Sequence, residues 1–376
     1  MDSPVRKRLR SPYAFAIAAA GLCLVCLLAI ALAECAARLC LPAYIGPVSE
    51  AGPYKHLVLL VGPRGTHPPT RLTTNRWGLR GEEPPRDWRA WDTWLALGSS
   101  TTLGYHLDDS DAWPARVQQR LRAAGKHVWI GNAAQDGLTT AGIAMEMEAL
   151  AKRIKPRNVL ILAGGSEMAL TFSDDRRERG SPYDRAFAKR AARADTLGGW
   201  KDYSRLYREY QLLRKRRAHE TVTLSVAAHA SRFPAPLTGA EDSLSLDSLA
   251  GPTLAVYSEN LRGLQARART LGIRAVFLTQ PYLYGVDSAW AHRFARSVTF
   301  RGREYRISAA TERRLLDRFN AALLGLCAGD GLECFDLASR MAGDSLRFYD
   351  EGHFTAAGAD LAAAEIAGYL LTPRRP

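Results

Sequence analysis

The 376-residue chain is long enough for one large domain or two small ones, and an apolar fraction of 47% excludes wholesale disorder. Lys and Arg number 51 against 38 Asp and Glu, a formal net charge of +13. Such a balance suits an anionic surface, and with no nucleic-acid-binding motif beside it the membrane is a better account than nucleic acid.

The first predicted element supports that account. Arg6, Lys7, Arg8 and Arg10 precede an uncharged apolar run, residues 13–33, just long enough to span a bilayer. The basic flank should stay cytoplasmic, which makes residues 1–12 a cytoplasmic tail, residues 13–41 an anchor with an amphipathic extension, and the remainder extracytoplasmic. The expected location is the inner membrane, crossed once. A cleavable signal peptide is the alternative, because Ala31-Leu32-Ala33 resembles a small-residue cleavage site. The length of the run and its continuation through residues 36–41 favour a retained anchor. Cys35 follows Glu34 rather than a small residue, which argues against a lipoprotein. Cys23, Cys26, Cys35 and Cys40 lie in or beside the anchor, where they act as small apolar residues.

Residues 42–90 are rich in Pro, Gly and Arg and contain one strand-like run, residues 56–61. They read as a linker and approach segment. From there apolar runs and helical patterns alternate. Strands are predicted at 94–97, 128–132, 159–163, 274–279 and 332–336, and helices at 112–124, 140–153, 254–271, 309–326 and 356–371. Such alternation implies a three-layer α/β/α domain over residues 91–372, with a central five-stranded parallel sheet. Functional residues are expected at the carboxyl ends of its strands.

The alternation breaks at about residues 167–250, a basic, helical insert. Within it Tyr203, Leu206, Tyr207, Tyr210 and Leu213 are spaced for one helical face, opposite a basic one. Three readings stand for this helix: a cap over the site, a foot on the membrane, and a solvated surface helix with an ordinary packed stripe. Residues 230–252 read as a loop. Near the end, Cys327 and Cys334 flank a Gly-containing turn. They either close a small disulfide loop in an oxidising compartment or remain separate buried thiols.

Chemistry concentrates at the strand ends. The first strand runs into Gly98-Ser99-Ser100-Thr101-Thr102-Leu103-Gly104, a small turn that leads to a helix and can present a hydroxyl. Asp350-Glu351-Gly352-His353 places a carboxylate and an imidazole three residues apart just before the last helix. A serine needs a base within hydrogen-bond reach, and the base needs an orienting acceptor. Ser100, His353 and Asp350 supply all three. Ser100 and Asp350 also fit as helix caps, and Gly137 as a turn glycine. His106, Asp108 and Asp109 lack further ligands nearby, and the glycine-rich turn lacks the Lys of a phosphate loop, so metal and nucleotide sites are disfavoured.

These segments resemble the blocks of the SGNH, or GDSL-type, hydrolases. Gly98-x-Ser100-x-Thr102-x-Gly104 is similar to the first block, with Ser99 in place of the usual Asp. The run from Asn132 to Thr140, with Gly137 at its centre, resembles the second, and Asp350-x-x-His353 followed by Thr355-Ala356-Ala357-Gly358 matches the last. Thr74-Asn75-Arg76-Trp77-Gly78-Leu79-Arg80-Gly81 resembles a leader of membrane-anchored bacterial members.

The resemblance implies a flavodoxin-like fold and a serine esterase, acyl hydrolase or O-acyltransferase acting on acyl esters of a glycan or lipid, without metal or cofactor. It implies Ser100 as nucleophile, His353 as base, Asp350 as its orienting group, and the Gly137 N–H in the oxyanion hole. The third block departs from the pattern. Ala163-Gly164-Gly165-Ser166-Glu167 places Ser166 where the family has an Asn that donates to the oxyanion. Ser166 is then either a weaker donor or filler, and a non-catalytic envelope protein that binds polysaccharide or assembly partners is the competing reading. Gln280-Pro281-Tyr282-Leu283-Tyr284 resembles a cleft-lining segment, in which Tyr282 and Tyr284 either contact substrate or pack.

Overall fold

Strands buried on both faces of a parallel sheet read as continuous apolar runs. Four such runs form β3 (Asp92–Gly98), β4 (Val128–Asn132), β5 (Asn158–Ala163) and β7 (Arg274–Thr279), and the short β10 (Glu333–Phe335) completes the sheet. The computed structural model describes residues 12–40, 56–60, 70–105, 107–172, 180–196, 204–218, 221–225, 246–283, 296–300, 303–307, 309–341 and 345–373. The other elements in chain order are α1 (Pro12–Cys40), β1 (His56–Leu60), β2 (Thr70–Thr73), α2 (Ser100–Leu103), α3 (Trp113–Ala123), α4 (Thr140–Ile154), α5 (Gly165–Thr171), α6 (Pro182–Thr196), α7 (Arg205–Ala218), β6 (Thr221–Ser225), α8 (Leu246–Thr270), β8 (Arg296–Phe300), β9 (Arg303–Ile307), α9 (Ala309–Asp330), α10 (Leu337–Arg340) and α11 (Ala356–Leu371).

The sheet order is β4-β3-β5-β7-β10, all parallel. Numbered by strand, that is 2-1-3-4-5, the flavodoxin-like doubly wound order expected from the alternation. Right-handed crossovers then decide the layers. The chain moves outward from β3 to β4 through α3, then reverses, so α4, α8 and α9 fall on the opposite face. The packing agrees: α3 lies against α11, while α8 touches both α4 and α9. The order reverses between β3 and β5, the switch point at whose carboxyl ends open α/β sheets bind their ligands.

Three expectations need correction. Residues 70–90 are only partly a linker. Trp77 and Leu79 are 3% and 2% exposed, and Arg80 bridges the edge strand at Asn132. Trp77 meets Trp88 and Trp129 edge-to-face at 5.3 and 5.4 Å. A Cβ on Gly131 would fall 2.9 Å from Leu79, so the bare strand position makes room for the leader. The Pro, Gly and Arg content masks these apolar anchors. Second, the insert is not purely helical: β6 pairs parallel to β1 in a separate sheet, β2-β1-β6. Third, α8 begins at Leu246, inside the expected loop, and carries Pro252. A Pro six residues into a helix lies beyond the tolerated first turn, so it masked the helix start.

Of the two cysteine readings, the structure takes the bond: Cys327 at the end of α9 and Cys334 in β10 form a disulfide, Cα to Cα 6.0 Å. At the other end of the chain, α1 includes a 26-residue stretch, Phe15–Cys40, with mean hydropathy 2.8 and none of its most apolar window buried. It is long and apolar enough to cross a membrane. The basic flank before it lies outside the described residues.

Candidate functional site

The nucleophile turn follows from β3. Gly98 has φ +158°, and a Cβ there would fall 2.3 Å from Thr102 Oγ1, so only glycine lets the chain turn this sharply into α2. Ser99, not Ser100, is the N-cap, which leaves the Ser100 hydroxyl free of capping. Gly104 ends the helix in the left-handed region.

The last block folds onto that turn. Asp350 Oδ1 accepts the backbone N–H groups of Gly352 at 2.9 Å and His353 at 2.8 Å, the local turn that Asp favours. Its other oxygen lies 2.7 Å from His353 Nδ1, and His353 Nε2 lies 2.8 Å from Ser100 Oγ. Thr355 caps α11, accepting from the Gly358 N–H at 3.1 Å, so Asp350 is not that helix's cap. Thr101 Oγ1 donates to the Gly352 carbonyl at 3.2 Å, a direct tie between the two halves of the site.

The electrostatics are those of a coupled pair. Burial alone would raise the Asp350 carboxyl, but the His353 ring and the two N–H groups outweigh it and hold the carboxyl below its ordinary value. Burial pulls His353 down, and the Asp350 carboxylate overcomes it and raises the imidazole. The His353 side chain is 27% exposed, so solvent screens part of that attraction.

The loop after β4 carries Gly137, at φ +66°. It is braced by the insert, which the sequence did not reveal. Ser181 Oγ donates to the Gly137 carbonyl at 3.0 Å, and Asp184 accepts the Thr139 N–H at 3.0 Å and its hydroxyl at 2.6 Å. The Tyr183 ring covers Gly137: a Cβ there would fall 2.4 Å from it. Beneath the loop, buried Gln135 donates to Glu146 at 2.5 Å. Burial lifts that carboxyl to about 8, against the Gln135 hydrogen bond and the Arg190 charge.

The loop after β5 holds Ser166, half-buried in the first turn of α5. Glu167 is buried and accepts the N–H groups of Gly164, at 3.1 Å, and Thr140. It thereby stitches this loop to the start of α4.

A second scaffold residue hidden in the leader is Arg80, whose side chain is 2% exposed. Its guanidinium donates to the carbonyls of Leu103, Gly104 (2.7 Å) and Leu107 (2.5 Å) and pairs with Asp109 at 2.9 Å. It thus holds the C-terminal end of the nucleophile turn. Asn132 adds a bond from its amide to the Thr102 carbonyl at 2.9 Å. The sequence signals for Arg80 were its place in the leader-like segment from Thr74 to Gly81 and the apolar Trp77 and Leu79 beside it.

Asp108 and Asp109 are taken by the Arg71 and Thr73 N–H groups and by Arg80, and His106 lies outside the described residues. Tyr282 is 9% exposed and lies against the histidine loop, where a Cβ on Gly352 would fall 3.0 Å from its ring. Tyr284 lies outside the described residues.

A serine, an imidazole and a carboxylate in hydrogen-bonded series at the carboxyl edge of a doubly wound sheet place the protein among α/β proteins built for hydrolase chemistry. The model of the GDSL-like lipase/acylhydrolase family matches residues 96–361, more than half of the chain, and the chain belongs to that family. It is similar to thioesterase 1/protease 1/lysophospholipase L1 of Escherichia coli strain K12, 33% identical over 88 residues, 23% of this chain and 41% of that protein. It is also similar to esterase TesA of Pseudomonas aeruginosa, 36% identical over 75 residues, 20% of this chain and 37% of that protein. The match therefore spans about two-fifths of the length of these relatives. Among solved structures, the crystal structure of TesA is 15% identical over 74% of this chain and 98% of that one, with a TM-score of 0.39. Axe2, an acetylxylan esterase from Geobacillus stearothermophilus, is 12% identical over 75% of this chain and 95% of that one, with a TM-score of 0.40.

Proposed function

We propose that the protein is a membrane-anchored, extracytoplasmic serine esterase or acyl hydrolase, and that the hydrogen-bonded series Ser100–His353–Asp350 is its catalytic triad. That series carries the reading. Ser100 Oγ attacks the ester carbonyl while His353 Nε2 accepts the hydroxyl proton. Asp350 fixes the ring so that Nε2 faces the serine, and stabilises the imidazolium as it forms. The N–H groups of Ser100 and Gly137, with the Ser166 hydroxyl, receive the oxyanion. His353 then returns its proton to the leaving alkoxide. Water, or a sugar hydroxyl in an O-acyltransferase, attacks the acyl-enzyme in the same way. The substrate class is an acyl ester of a glycan or lipid, reached from a single inner-membrane helix. The family description, with relatives named as thioesterase, lysophospholipase and esterase, supports acyl-ester chemistry.

One observation favours a second reading. Ser166 replaces a planar amide donor by a hydroxyl whose rotor is not preorganised. A non-catalytic envelope protein that binds polysaccharide or assembly partners would tolerate that loss.

Fluorophosphonate labelling separates the two. The wild-type chain should be modified at Ser100, and Ser100→Ala and His353→Ala should not. An intact, folded chain that stays unlabelled would favour the binding protein.

A further inference from the structure

The helix α7 makes no contribution to the site described above, and its surroundings give it a different use. Its N-terminal end is fastened to the membrane helix. The Glu34 carboxylate accepts the N–H groups of Arg205 at 2.7 Å and Leu206 at 3.1 Å and the Ser204 hydroxyl at 3.0 Å, while Arg38 holds the same carboxylate at 2.8 Å. Glu34 is the first charged residue after the apolar run of residues 13–33. A bilayer core needs about 20 apolar residues, so a spanning α1 sets Glu34 at the hydrocarbon boundary. The start of α7 is pinned at that depth, and Arg76 of the leader adds a bond to Glu209 at 2.8 Å.

The other half of α7 is bare. Leu212 is buried, but Tyr210 and Leu213, from the stripe spaced for one helical face, are 58% and 50% exposed. Tyr210, Leu213, Arg214 and Arg217 follow the spacing of one helical face. Along α7, Arg205, Arg208, Arg214, Lys215, Arg216 and Arg217 face a single acid, Glu209. An aromatic and a leucine between long cationic side chains suit the headgroup layer. The rings and methylene stems reach toward the acyl boundary, and the charges pair with lipid phosphates.

We propose that α7 lies on the anionic phospholipid surface of the bilayer leaflet where α1 emerges. It forms a second membrane contact that fixes the orientation of the domain. This rests on the reading that α1 spans the membrane. An acidic polymer is the competing occupant, but the pinning of α7 at the end of α1 favours lipid.

The full chain is tested in nanodiscs of phosphatidylcholine alone and of phosphatidylcholine with about one phosphatidylglycerol in three, a charge density that attracts basic segments. Amide hydrogen exchange is followed in residues 205–218. Exchange should slow by roughly tenfold in the anionic discs, and the difference should shrink between about 50 and 500 mM salt. Arg214→Glu, Lys215→Glu, Arg216→Glu and Arg217→Glu combined should abolish it, with hydrolysis of a soluble ester as the check that the variant folds. Equal exchange in both discs, with the protein co-eluting with them, would overturn the proposal while leaving the anchor intact. Failure to co-elute would overturn the anchor and, with it, this contact. Protection by soluble polygalacturonate in neutral discs would overturn it in favour of the acidic polymer.

Discussion

The loops after β3 and β4 both end at the carboxyl edge of the sheet, but different parts of the chain hold them. The turn carrying Ser100 is clamped from below by Arg80, which the leader contributes before β3, and from the side by Asn132 on the neighbouring strand. The clamp is buried and made by the sheet's own framework. The loop carrying Gly137 is held from above, by Ser181, Tyr183 and Asp184 at the start of α6. That support comes from an insert, where buried Ser181 and Asp184 lie beside a Tyr183 that is 52% exposed. The turn carrying Ser100 is thus held by the leader and the sheet, and the loop carrying Gly137 by the insert.

The largest effect tests the nucleophile side alone. Asp350→Asn keeps the shape of the turn but withdraws the charge that orients His353. Turnover on a p-nitrophenyl ester should fall by up to about 10⁴-fold, the loss seen for the same change in a serine protease triad. The pH profile fixes the sign. General-base catalysis needs neutral His353, so kcat/KM rises as pH passes upward through the raised imidazole value. In Asp350→Asn that limb should move down, toward the ordinary value of about 6.5. A limb that stays in place would mean Asp350 does not set the His353 charge.

Two substitutions set the supports against each other. Arg80→Met leaves three carbonyls and Asp109 without their buried donor. Breaking such a buried pair costs about 3–5 kcal/mol, so the melting temperature should drop steeply along with activity. Asp184→Ala removes a buried carboxylate with its two bonds to Thr139 and one from the Ser181 N–H. Its stability cost should be about 1–3 kcal/mol, below that of Arg80→Met, with kcat falling roughly 10–100-fold and KM nearly unchanged as the loop carrying Gly137 loosens. Thermal melts and steady-state kinetics on both variants check the contrast. If Asp184→Ala lowers stability as much as Arg80→Met, α6 belongs to the core and the distinction fails.

The smallest effect concerns Ser166. Ser166→Ala should lower kcat by an amount equivalent to roughly 1–2 kcal/mol with little change in KM, because the bond strengthens only in the transition state. Ser166→Asn should raise it, unless Glu167 captures the new amide. An unchanged rate in Ser166→Ala would leave two backbone donors as the whole oxyanion hole.

What the sequence determined by itself was whatever short-range patterns encode. The four apolar runs could only be buried parallel strands, and their ends had to carry the site. Asp350 and His353 sit three residues apart, so one turn of backbone sets their relation. The disulfide, with partners seven residues apart, was legible as one of two choices. Tertiary structure decided the rest. Arg80 looked like one more arginine in a basic approach segment until burial gave it three carbonyls. Asp184 lay in a charged insert, 45 residues from the Thr139 it holds. The stripe on α7 had the spacing of a packed face, yet Tyr210 and Leu213 were left uncovered. Periodicity reports which residues share a face, but what covers that face depends on chain segments far away in sequence. Here those segments are the leader, the insert and the end of α1.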